Sequence, residues 1–215
     1  MRDRDWLGLL NPEPDDPRLF LTDLYDLDAT VILLTDAGRR VAEVFAESDA
    51  LADWTRRHPE HSVISAAVAV AAPVGRLRLA SERGSLGIRS EGTPLRPPVV
   101  DNDWCLVDLT ELVTVAVSRS GAVRHEIAQI HACVVTEAEK VPDDHRLCCG
   151  HDLARALAGL IANPWCGAQH GASFLLQAIR AAVSRDEFMS LSFVDPIERW
   201  ANSQGSTAWR GPQHI

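Results

Sequence analysis

Lysine is almost absent from this 215-residue chain, occurring once, at Lys140, against 20 arginines. Lysine chemistry through a Schiff base or a lysine general base would therefore have to run through Lys140. That residue sits in a polar stretch, TEAEKVPDDH, expected to be exposed. Basic runs are lacking too, none exceeding the two residues of Arg39-Arg40 and Arg56-Arg57, and the net charge is −9. A negative balance opposes the counterion release that drives nucleic-acid binding and opposes docking on anionic lipid. Neither nucleic acid nor a membrane is an expected partner. A Gly-rich phosphate loop followed by a helix is missing, since Gly84 to Gly87 lacks the helix that such a loop needs. No repeat of fixed period recurs, and no low-complexity tract is present. The longest apolar run, Ser65 to Val74, is about half of what a bilayer span requires. The opening MRDRDWLGLL has no long apolar core of the signal-peptide kind. The expected compartment is the cytoplasm, where the five cysteines would stay reduced.

What is present suits a globular domain. Hydrophobic residues make up 46% and charged residues 24%, and a chain of this size can bury a core without staples. Residues 1 to 18 carry Pro12, Pro14 and Pro17 and read as an extended arm that Trp6, Leu7, Leu9 and Leu10 could pin to the body. Residues 19 to 197 read as one α+β domain, and residues 198 to 215, polar and Gly/Ser-containing, as a tail.

Within the domain, Ala29–Leu34 and Val41–Phe45 flank a turn bearing Asp36 and Gly38, which predicts a hairpin. Ser48 is placed to cap a short helix with Leu51 and Trp54 on one face. The Val/Ala-rich run Ser62 to Ala72 predicts a buried strand, with a helix as the alternative. Alternation in Arg76-Leu77-Arg78-Leu79 and in Leu86-Gly87-Ile88-Arg89 predicts a second, half-exposed hairpin. Trp104 to Val117, with Val123 to Ile127, predicts a third. The rival there is a helix from Val123 through Ile127, Ile130 and Val134. Helices are predicted from Leu153, capped by Asp152 and ended by Asn163-Pro164, and from the Cys166–Gly171 turn through Leu175, Ile179 and Val183. Phe188 to Val194 alternates as a strand would. The expected fold is thus α+β, mainly an antiparallel sheet of hairpins packed against two C-terminal helices.

The chemistry converges on Asn163-Pro164-Trp165-Cys166-Gly167-Ala168-Gln169-His170-Gly171. A thiol at a helix start gains from the helix dipole, which favours the thiolate. Cys166 is the candidate nucleophile and His170, four residues on, the candidate base. Asn163, Trp165 and Gly171 are the candidate substrate-binding residues. Cys148-x2-His151 and Cys166-x3-His170 resemble zinc pairs, but a helix over 152–162, about 15 Å long at 1.5 Å per residue, separates them. Zinc ligands must converge within about 2.0–2.3 Å of one ion, so no metal is expected, and no cofactor is implied. His58 and His61 flank Pro59 in a polar turn and read as loop histidines.

The piece NPWCGAQHGASFLLQAIRAAV followed by FMSLSFVDPI resembles the central-helix region of hotdog-fold acyl-CoA thioesterases. Asn163, Pro164, His170, Gly171, Phe193 and Pro196 fit that pattern. Ala172 replaces a glycine, no carboxylate precedes Asp186 in the helix, and a single strand follows where the family has several. The resemblance implies a sheet wrapped round the helix and a backbone N–H near Gly171 that polarises a thioester carbonyl. Two functions stand open. One is an enzyme or ligand-binding protein with its site at Trp165–Gly171, acyl or thioester chemistry being the leading class. The other is a non-catalytic interaction or regulatory protein, with exposed Trp6, Trp200 or Trp209 as anchors. The expected partner is a small molecule or a protein, with homo-oligomers allowed.

Overall fold

The computed structural model describes residues 1–16, 18–121, 125–141 and 143–209. About 57% of the described residues are helical, and no sheet forms among them. Among the described residues, β-type pairing is confined to isolated bridges, such as that between Val100 and Val107. The α+β expectation is overturned: the first predicted hairpin is two helices, the first arm of the second is helical while its second arm, Leu86–Arg89, is a loop, and most of the first arm of the third is helical.

Among the described residues ten α-helices follow one another: α1 (Leu27–Leu34), α2 (Ala37–Phe45), α3 (Ser48–Arg57), α4 (Val63–Gly84), α5 (Leu109–Ser120), α6 (Ile127–Lys140), α7 (Gly150–Ala162), α8 (Ala172–Ala182), α9 (Arg185–Met189) and α10 (Val194–Ser203). The supposed first hairpin is α1 and α2. Asp26 caps α1, accepting from the Ala29 amide at 2.6 Å and the Gly150 amide at 3.0 Å. Thr35 and Asp36 break the chain, and α2 then runs with an Arg39–Glu43 pair at i,i+4 spacing, 2.9 Å apart. Short apolar runs look alike in a buried strand and a buried helix, and Val31 and Ile32 weighted the reading toward strand.

The largest correction is α4. Its first half is the supposed buried strand and its second half contains the first arm of the supposed second hairpin. Ser62 opens it with a capping box to Ser65. The Arg-Leu-Arg-Leu alternation does not come from a half-exposed strand. Leu77 and Leu79 are both fully buried, while Arg76 and Arg78 are neutralised by Asp144 and Asp152. A helix covered on nearly all sides by neighbours loses its amphipathic signature. α4 is also long and apolar enough to cross a membrane, with mean hydropathy 1.6, yet 67% of its best window is buried inside the fold. It packs on α7 and α6, while α7 packs in turn on α8 and α1. A buried core helix passes the same length test as a membrane span.

The supposed strand in 104–117 is a short lead-in followed by most of α5, whose first amides are capped by the Asp108 carboxylate at 2.9 and 3.0 Å. The helical rival for the next segment describes α6, which buries Ile130 and Val134; Val123 and Arg124 lie outside the described residues. α7 begins at Gly150 with Cys149 as N-cap, three residues before the predicted cap, so Asp152 lies in its first turn. Its buried face is Leu153, Leu157, Leu160 and Ile161, and it ends at Asn163. α8 begins at Ala172, at the far end of the predicted starting turn, and buries Leu175 and Ile179. The supposed strand 188–194 is the end of α9, a turn and the start of α10. α10 runs into the predicted tail, and Trp209 packs edge-on to Phe188 at 5.1 Å.

The N-terminal arm lies against the body. Trp6 meets Tyr25 edge-on at 4.9 Å, and Trp6, Leu9 and Leu10 cover Leu79, Val141 and Leu147.

Candidate functional site

The turn from Asn163 to Gly171 is built by close backbone packing. The Trp165 carbonyl accepts from the Glu47 amide at 2.9 Å, and the Gly167 amide donates to the Ile161 carbonyl at 2.7 Å. A Cβ on Gly167 would fall 2.1 Å from the Phe45 carbonyl oxygen. Trp165 is fully buried and edge-on to Trp54 at 5.5 Å, so it is a core residue. Cys166 is exposed, in the left-handed region at φ 49°, and its Sγ lies 3.6 Å from the Asn163 carbonyl. Six residues separate it from the first residue of α8. The His170 ring stacks on Phe174 at 4.6 Å and meets Phe45 edge-on at 4.7 Å. Among the described residues no hydrogen bond joins Cys166 to His170.

Three of the five predicted residues do come together. Asn163, His170 and Gly171 line a cleft of about 550 Å³ between the C-terminal half of α7, the 95–104 segment and the start of α8. Leu95, Trp104, Ala158 and Ala162 supply its apolar wall, and Arg96, Arg155 and Gln169 its polar one. Trp165 and Cys166 are not part of it. Asn163 is held by its Nδ2, which donates to the Gly159 carbonyl at 2.7 Å. Gly171 is the N-cap of α8 and brings no side-chain acceptor. The first amides of α8 are therefore left without the cap that would normally engage them, and Ala172 lines the cleft.

A charged centre lies behind this cleft, and sequence reasoning missed it. Asp152 is 3% exposed at its side chain, yet it faces two guanidiniums. Its Oδ2 takes Arg78 Nη2 and the Cys149 thiol, the latter at 3.2 Å. Its Oδ1 takes Arg155 Nη1 at 3.3 Å. Arg155 also donates to the Thr93 carbonyl. Burial by itself would lower the pKa of Arg78, but the Asp152 carboxylate beside it holds the guanidinium well above its ordinary value. The available signal was a charged pair at i,i+3 in the otherwise apolar LCCGHDLARALAGL, opposite charges embedded in an equally apolar α4.

Three of the thiols are held in the protonated form. Burial, with Asp152 adding to it, pushes Cys149 up to about 12. Burial pushes Cys148 well above its usual range, and Cys105 to about 11, with Asp101 and Asp103 contributing. Because the thiolate is the reactive form, iodoacetamide applied to the native protein near pH 8 is expected to label exposed Cys133 and Cys166 quickly. Cys105, Cys148 and Cys149 should be spared until the chain unfolds. Peptide mass mapping over time checks this, and rapid labelling of Cys149 would contradict the burial argued here.

Cys148/His151 and Cys166/His170 fall at opposite ends of α7, and no group of three metal-ligating side chains assembles among the described residues. The hotdog likeness implied a sheet around the central helix. α8 instead packs on α7, α2 and α1, so the thioesterase-like reading of this fold is withdrawn. No protein-family model, no curated protein and no solved structure matches the chain. The class that fold and site define is therefore a structural one: a helical bundle with a ligand-sized cleft over a buried arginine–carboxylate centre.

Proposed function

We propose that this protein is a non-catalytic small-molecule binder whose ligand carries a carboxylate on an apolar body. The ligand lies in the cleft bounded by α7, the 95–104 segment and the start of α8. What carries the reading is the division of that cleft: one apolar wall, and one wall where Arg96, Gln169, His170 and the uncapped start of α8 face the same space. About 550 Å³ falls in the range of small-ligand sites, which are mostly apolar with a few polar groups that fix orientation. Amides at a helix start, together with a guanidinium, suit a carboxylate. The non-catalytic part rests on the thiols. Cys166 is outside the cleft, and the buried cysteines are held protonated at neutral pH.

Hexanoate and phenylacetate are suitable probes. Either is expected to raise the melting temperature in a saturable way. A ligand present at one hundred times its Kd adds about 2.7 kcal/mol, several degrees for a domain of this size. Arg96→Gln, an exposed change, should reduce the shift without altering the melting temperature of the unliganded protein. If neither compound shifts melting, or if Arg96→Gln responds as the wild type does, the reading fails.

A further inference from the structure

We infer that a second site, separate from the cleft above, binds the oxyanion group of a small ligand at Arg78. Two cavities, of about 550 and 350 Å³, adjoin this residue, and both are walled by Arg78 and Glu91. The larger also holds Arg89, Ser90 and Arg119, and the smaller holds Tyr25, Cys149 and Asp152.

Arg78 projects from α4 with its side chain 13% exposed, and its guanidinium lies over the Tyr25 ring at 5.6 Å. Arginine–carboxylate pairs are frequently bidentate, the fork meeting both oxygens. Here the second oxygen of Asp152 is taken by Arg155, so Arg78 reaches Oδ2 alone. Its Nη1 is buried and meets no acceptor among the described residues. A buried charged donor without a partner is costly, and an oxyanion in the adjoining cavity removes that cost.

Charge points the same way. Two buried guanidiniums share one carboxylate, an excess of one positive charge in a poorly solvated place. Tyr25, pushed up to about 12 mainly by burial, and Cys149, likewise at about 12, stay neutral near pH 7 and cannot supply the missing negative charge. Arg89 and Arg119 extend the positive wall, and neither has a carboxylate within salt-bridge distance among the described residues. Glu82 and Glu91 on the same walls cap the total: with Asp152 they match Arg78, Arg89 and Arg119, and the guanidinium left over is that of Arg155, which lines neither cavity and joins the set through Asp152. A single oxyanion balances that set, whereas a nucleic-acid backbone, a row of phosphates, is repelled by the glutamates. The group is the phosphate or the carboxylate of a small molecule.

Tyr25 is the only tyrosine in the chain, so 3-fluorotyrosine labelling places a single 19F resonance beneath Arg78. Sodium phosphate and sodium acetate are titrated separately, each against sodium chloride at matched ionic strength. A saturable shift of that resonance with at least one of the two is expected. Response to phosphate alone assigns a phosphate group, response to acetate alone a carboxylate, and response to both an oxyanion site of low selectivity. Arg78→Lys, which keeps the charge and loses the fork, should weaken binding about tenfold, the worth of one hydrogen bond to a charged group. Arg119→Gln, at an exposed position outside the core, should weaken it without unfolding risk. Arg96→Gln should leave it unchanged, which separates this site from the carboxylate cleft. The inference is overturned if neither ion gives a saturable shift, or if Arg78→Lys and Arg119→Gln both titrate as the wild type does.

Discussion

Gly75→Ala is expected to cost this protein about 3 kcal/mol of stability, at the upper end of what overpacking a core usually does. A Cβ at Gly75 would fall 2.1 Å from the Leu147 carbonyl oxygen and 2.8 Å from its carbonyl carbon. Those are backbone atoms of the segment that leads into α7, so no side chain can swing away. α7 cannot retreat either, because a Cβ at Gly150 would already lie 2.2 Å from Asp28 Cβ on α1. The extra methyl must push α4 and α7 apart along their contact. Alanine's better helix propensity returns about 1 kcal/mol, too little to reverse the sign. The net loss corresponds to a fall of roughly 10 °C in melting temperature for a domain of this size. The six tryptophans give a fluorescence signal for urea denaturation. Gly171→Ala is the control, since a Cβ there meets nothing within 4 Å and the change should cost only about 1 kcal/mol or less, the preference for glycine over alanine at the α8 N-cap. A Gly75→Ala midpoint equal to wild type would mean that the α4–α7 contact is looser than described.

That contact also explains what could be read in the sequence and what could not. α3 and α8 were legible because each keeps one wet face, and α7 because Leu153, Leu157 and Leu160 recur at helical spacing opposite Arg155, Ala158 and Ala162, which are half-buried along the cleft. α4 and α1 have no such contrast. Val63–Ala72 is almost uniformly apolar because neighbours surround it, so periodicity carried no message and valine content favoured strand. At 76–79 the alternation was real and its cause was different. Arg76 and Arg78 are polar residues taken inward by Asp144 and Asp152, partners 68 and 74 residues away. No local pattern announces pairing at that separation. The same limit governed the sites. Asn163, His170 and Gly171 stand together in the chain, so their sharing of one cleft was within reach of a local reading, while the Arg78–Asp152–Arg155 centre is assembled by two helices crossing. Trp165 shows the converse error: a tryptophan in a turn looked like a binding residue, and tertiary packing made it core.

Asp152→Asn should be the most damaging single side-chain change, costing about 3–5 kcal/mol, the range seen when one partner of a buried charge pair is removed. The asparagine keeps the shape and one acceptor, but it leaves the guanidiniums of Arg78 and Arg155 without the charge between them. Its amide N–H2 must also face one of the two as donor to donor. Two further measurements separate charge from packing. The double variant Asp152→Leu/Arg78→Met, which removes one cation along with the carboxylate, should be more stable than Asp152→Leu alone, because uncompensated charge costs more than replaced volume. Phosphate or acetate should also stabilise Asp152→Asn by more degrees than it stabilises the wild type, since an oxyanion at Arg78 replaces part of the lost negative charge. Thermal melting of the four proteins with and without each ion reads both effects. If Asp152→Asn melts within a degree or two of wild type, the carboxylate does not hold the two arginines as described. If it is strongly destabilised but insensitive to both ions, Asp152 is a structural counter-ion only, and the space beside Arg78 is not an oxyanion site.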